Sequence, residues 1–146
     1  MALHSAGEIR AAVAAAARAV ELAPGFAEAH AYLGNTLVTR QRRFTDGLAA
    51  LRLATELAPR DATILYTTGW CHEYVAHALA RPRGSHQAVA EDAATLYAAA
   101  RGYFFLALSA GPDDQLRGDI EDMLDVVAAA TDEPWEDDAP DLAPEN

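Results

Sequence analysis

Residues 27–59 read AEAHAYLGNTLVTRQRRFTDGLAALRLATELAP, and this stretch decides the fold. Apolar side chains recur in it at helical spacing on both sides of a polar break, Arg40-Gln41-Arg42-Arg43. The spacing predicts one helix over 26–41 and a second over 44–58, stopped by Pro59, because proline cannot continue a helix. The same reading carries outward. Upstream, 7–22 forms a helix that stops at Pro24-Gly25. Downstream, Asp61 caps a helix running to about Ala80, ended by Arg81-Pro82-Arg83-Gly84. Ser85 then starts a fifth helix over 86–110, stopped by Gly111-Pro112. Asp113 or Asp114 caps a sixth, whose Leu116, Ile120, Met123, Leu124 and Val127 form one narrow apolar stripe on an acidic helix. Alanine occupies 35 of the 146 positions, and such a dominance of strong helix formers predicts an all-α protein.

The net charge of -11 is unevenly spread. Residues 1–112 hold 9 acids and 10 arginines, whereas 113–146 hold 13 acids and one arginine, Arg117. All 11 basic residues are arginine, so a P-loop lysine, a Schiff-base lysine and a lysine phosphate clamp are excluded. The overall sign argues against general nucleic-acid binding. Cys71 is the single cysteine and cannot form an internal disulfide, so nothing favours an oxidising compartment. Neither a secretory signal nor an apolar run of the ~18 residues needed to cross a membrane is visible. The expectation is a soluble cytoplasmic protein: a helical domain over 1–130 and a disordered acidic tail over 131–146. That tail reads TDEPWEDDAPDLAPEN, with three prolines and seven acids, and has too little apolar surface to offset ordering entropy.

An internal repeat underlies the helices. Pro24, Pro59 and Pro112 each close one; twelve residues earlier stand Ala12, Gly47 and Ala100, and five earlier Ala19, Ala54 and Ala107. VELAP at 20–24 and TELAP at 55–59 are nearly identical. Small residues at such points allow two helices to approach closely. On these features the chain resembles the tetratricopeptide repeat family over roughly residues 7–112. The best unit is 27–59, where His30-x-x-Leu33-Gly34-x-x-Leu37 matches the first-helix pattern and Gly47, Leu51 and Pro59 the second. A weaker unit carries Leu65, Thr68, Gly69 and His72, then Ala100, Phe104 and Pro112. The interval from Pro59 to Pro112 is longer than that from Pro24 to Pro59, so both helices of the weaker unit are expected to be extended by about two turns. The first unit lacks its first helix. The resemblance implies antiparallel helical hairpins, a right-handed solenoid fragment, with the sixth helix as a C-terminal cap.

It also implies a concave groove lined by first helices, here Asn35, Val38 and Thr39 from one and Tyr66, Trp70, Glu73 and Tyr74 from the next. Tyr66, Trp70 and Tyr74 recur at i, i+4 and i+8, a stripe of large amphipathic aromatics suited to binding. Ordinary helix packing would produce the same stripe, and the sequence leaves both readings open. Asn35 matches the groove asparagine of family members that clamp a C-terminal carboxylate, but the accompanying lysines are absent.

Catalytic constellations are weak. His72-Glu73 and His77 spell HEYVAH, one residue too long for a zinc-protease motif, and i to i+5 turns the histidines about 140° apart. Adjacent Cys71 and His72 point apart. No metal, no cofactor and no enzymatic activity are expected. Two charge features remain. Arg40, Arg42 and Arg43 lie in one helix-helix turn and Arg81 and Arg83 in the equivalent turn of the next unit, so with His86 they form a basic edge in a stacked array. A sixth helix of ~17 residues spans about 25 Å and would deliver the acidic tail beside that edge. Trp135, Glu136, Asp137 and Asp138 read as a docking segment, an aromatic anchor with steering acids. The expected function is a non-catalytic protein-interaction module, an adaptor or accessory subunit that binds a peptide or helix of a partner protein, with no nucleic acid or membrane. The alternative is a structural subunit held in a larger complex or homo-oligomer through its uncapped N-terminal helix.

Overall fold

The computed structural model describes residues 6–136. Asp137 and Asp138 of the docking segment, with residues 139–146 of the tail, lie outside the described residues. The order is α1 (Ala6–Leu22), α2 (Ala27–Gln41), α3 (Phe44–Leu57), α4 (Ala62–Ala80), α5 (Ala93–Ser109) and α6 (Asp114–Thr131), with no strand among the described residues. The protein is all-α, and neighbouring helices pack on one another. α2 touches α1, α3 and α4, while α4 also touches α3, α5 and α6. α4 is thus the centre of the fold. Its Leu65, Cys71, Val75 and Ala76 are buried with Phe44, Leu48 and Leu51 of α3, Leu96 and Phe104 of α5 and Ile120 and Leu124 of α6.

Capping explains three of the starts. The side chains of Asp61, Asp92 and Asp113 accept from the backbone N–H of Ile64, Thr95 and Leu116 at 3.1, 2.9 and 2.8 Å, each satisfying a donor that the first helical turn leaves unpaired. The turn after α2 is two residues long, with Arg42 in the left-handed region at φ 51 and the Arg43 N–H returning to the Leu37 carbonyl at 2.9 Å.

α2 and α3 meet at two glycines. A Cβ on Gly34 would stand 2.7 Å from the Gly47 carbonyl oxygen, and one on Gly47 would stand 2.8 Å from that of Gly34. These backbones approach as closely as side-chain-free positions permit. Where α4 meets α5, Gly69 instead faces the Phe104 ring, with a Cβ there falling 2.8 Å from Phe104 Cε1.

One expectation fails at the fifth helix. Residues 86–92 are not helical; α5 begins at Ala93 with Asp92 as its cap. The predicted two-turn extension of both helices is not found either: α4 has 19 residues against 15 in α2, and α5 has 17 against 14 in α3. Most of the extra chain is the connection 81–92, which lies along the α2–α3 turn. Its Gln87 N–H donates to the Arg42 carbonyl at 3.0 Å, and Gln87 Oε1 accepts from the Asp46 N–H at 3.0 Å. The Thr45 hydroxyl donates to the Ala88 carbonyl, and Arg52 pairs with Glu91 at 2.9 Å. These long-range bonds replace the ladder that a helix over 86–92 would have made.

Candidate functional site

The face of α4 directed toward α2 carries the candidate site. Asn35, Thr39 and Arg40 of α2 and Tyr66, Thr67, Trp70 and Tyr74 of α4 line an open cleft of about 430 Å³. Five of the seven residues expected in a groove, Asn35, Thr39, Tyr66, Trp70 and Tyr74, therefore come together. Val38 does not: it is fully buried, and its Cγ2 fills the space beside Gly47 on α3. Glu73 lines the adjoining cleft.

The aromatic stripe is a platform seated on the core. Tyr66, Trp70 and Tyr74 are each half-buried. Trp70 stacks on Tyr74 at 5.6 Å between centroids, Tyr66 leans on Phe104 at 5.9 Å, and Tyr74 meets Phe44 edge-on at 6.4 Å. The two readings of the stripe are not exclusive, since each ring packs on one side and lines the cleft with the other. Burial pushes the Tyr66 hydroxyl above its ordinary pKa, and the carboxylates of Asp119 and Asp122 on α6 add to the shift.

Behind this face α4 is closed. Cys71 is buried, its thiol directed at Asn35 Oδ1 at 3.5 Å, and burial pushes it up to about 12, so it carries no thiolate near neutrality. His72 is buried on the α3–α5 side. Its ring nitrogens meet the Thr68 carbonyl at 2.7 Å and Arg52 Nε at 3.3 Å, and Tyr103 leans on it at 5.0 Å. Burial lowers its pKa from 6.5 to about 4, Arg52 acting in the same direction and the Thr68 carbonyl and Glu91 against it. His77 is exposed, so the two histidines of HEYVAH face different surroundings. Among the described residues no group of three or more His, Cys, Asp or Glu is placed to hold a metal ion, and no helix is long and apolar enough to cross a membrane.

The five arginines of the basic edge are divided. Arg42, Arg81 and Arg83 line one cleft of about 400 Å³ with Glu73, Tyr74, His77, Ala78 and Val126. Arg40 lines the aromatic cleft. Arg43 pairs with Asp46. His86 stacks on Phe44 at 5.0 Å, and the Arg42 guanidinium lies 5.2 Å from the centre of that same ring.

α6 reaches the basic cleft with Val126, but its last turn, with Val127, Ala130 and Thr131, lines a different cleft with Ala80, Ala93, Tyr97 and Arg101. The following chain turns to α5. Arg101 donates to the carbonyls of Glu133 and Pro134 at 3.1 and 2.9 Å. Trp135, expected to anchor a docking segment, is half-buried on its own chain, with Nε1 donating to Asp125 at 2.8 Å and the ring edge-on to Phe105. Glu136 is exposed. Sequence reasoning also missed Thr67 as a lining residue, although it lies one position from Tyr66 on the same helix.

No family model, no curated protein and no solved structure matches the chain.

Proposed function

We propose that the protein is a non-catalytic interaction module, a short tetratricopeptide-like array of helical hairpins that holds a peptide or helix of a partner protein in the α2–α4 groove. The observation that carries this reading is the cleft formed by Asn35, Thr39, Tyr66, Trp70 and Tyr74, in which three aromatic rings are fixed from behind and open in front. Pre-packed aromatics give large contact area with little ordering cost on binding. The equivalent close contacts of the two hairpins, Gly34 with Leu51 and Gly69 with Phe104, support the repeat. A partner captured by the full chain should be lost on Trp70→Ala when circular dichroism shows that variant folded. Retention of every partner would remove the groove from the function.

A second reading rests on α1. Only Ala16 of this helix is buried, and Leu22 and Phe26 at its junction with α2 are 72% and 51% exposed. A permanent subunit interface would cover them. Sedimentation equilibrium separates the two: a monomer supports the adaptor, and a stable homo-oligomer dispersed by Phe26→Ser supports the subunit.

A further inference from the structure

The aromatic cleft is the middle of a longer groove. At one end it shares Asn35 and Thr67 with a cleft lined by Glu28, Tyr32, Asp61, Thr63 and Ile64. At the other it shares Tyr74 with the cleft of Arg42, Arg81 and Arg83. From Thr63 to Arg81 the three follow α4 over ~27 Å at 1.5 Å per residue, enough for about eight residues of extended chain.

This groove is polarised. Glu28 and Asp61 line its first end. Three guanidinium groups and His77 line the other. The one carboxylate at that end, Glu73, is pushed toward its neutral form by burial, with His77 drawing it back. Arg42 is held in place with its Nε on the Ser85 carbonyl at 3.1 Å and its guanidinium 5.2 Å from the centre of the Phe44 ring.

The geometry points to a partner segment of matching polarity: carboxylates seated at Arg42, Arg81 and Arg83, an apolar or aromatic centre on Tyr66, Trp70 and Tyr74, and basic side chains toward Glu28 and Asp61. This rests on the groove reading above and adds the chemistry and direction of the occupant. The acidic end takes a peptide in preference to a nucleic acid, because Glu28 and Asp61 repel a polyanion laid along the groove.

The test uses the full chain and labelled synthetic peptides of eight residues with one Leu-Trp-Leu-Leu centre and different ends: Glu-Glu with Lys-Lys, Lys-Lys at both, Glu-Glu at both, and Ser-Ser at both. Fluorescence anisotropy at low salt should rank the mixed-charge peptide about tenfold above the others, since each well-placed charge pair at a partly desolvated rim contributes a few-fold. The double variant Arg81→Glu/Arg83→Glu should move the preference to the peptide with lysines at both ends. A spin label on the glutamate end should broaden the amides of His77 and Gly84 and spare Asp61. Binding that depends on Trp70 but ignores end charge would overturn the polarity and leave the groove standing. Absence of any Trp70-dependent binding would overturn both. Equal, arginine-dependent binding of a ten-nucleotide single-stranded DNA would also overturn the assignment to peptide.

Discussion

The hairpins α2–α3 and α4–α5 solve one packing problem in two ways. In the first, glycine faces glycine, the helix backbones touch, and a two-residue turn suffices. In the second, Ala100 replaces the second glycine and Phe104 replaces Leu51, so a ring fills the space and both helices are longer. The connection then grows to residues 81–92 and is tied back to the first hairpin through Arg42, Asp46 and Arg52. The first hairpin closes on itself, and the second is completed by extra chain. The second hairpin also encloses His72, between α4, Arg52 of α3 and Tyr103 of α5.

That enclosure gives the largest expected effect. The folded pKa of His72 is about 4 against an ordinary 6.5, so below about pH 6.5 the unfolded chain takes up a proton that the folded one refuses. Its contribution is complete above pH 6.5 and is lost as the pH falls to 4, in total roughly 3 kcal/mol. Urea unfolding at pH 7 and at pH 4.5 should show a drop in wild type that is smaller by about 2–3 kcal/mol in His72→Gln, which retains an acceptor for Arg52. An unchanged pH dependence in the variant would show that the second hairpin opens to water around this ring.

The same contrast explains what could be read from the chain. Helices α1–α4 and α6 were legible because their apolar spacing, prolines and aspartate caps agree with one another. The groove was legible in part: Asn35, Tyr66, Trp70 and Tyr74 share helix faces that periodicity defines. Val38 went astray because the Gly34–Gly47 contact turns it toward α3, a fact of close approach that residue spacing does not contain. The start of α5 was misread because Ser85 and Asp92 are both competent caps and 86–92 holds good helix formers. What decides between them is tertiary: Arg42 and Gln87 bond across 45 residues of chain, at 3.0 Å. The seating of Trp135 was hidden similarly, since composition marked 131–146 as polar and could not reveal Arg101, Asp125 and Phe105 waiting on α5 and α6.

Next in size is the glycine contact itself. In Gly47→Ala the new methyl meets the Gly34 carbonyl, a backbone atom, so α2 and α3 must part; a loss of about 1–3 kcal/mol is expected. In Gly69→Ala the obstacle is the Phe104 ring, which can shift with its neighbours, and the higher helix propensity of alanine offsets part of the strain. Thermal unfolding should therefore place Gly47→Ala below Gly69→Ala by several degrees. The reverse order would mean that the ring-filled contact is the stiffer of the two.

The smallest effect has the opposite sign and checks that the two contact glycines are special. Gly102 lies inside α5 and is exposed, with nothing within 4 Å of the position its Cβ would take. No close approach or positive φ requires glycine there. Gly102→Ala removes backbone entropy from the unfolded chain and improves helix propensity without touching a neighbour. A gain of about 0.5–1 kcal/mol follows, read as a rise of roughly 2–4 °C in Tm. A loss instead would indicate that the exposed face of α5 is covered in solution, by a second copy or by another part of the chain.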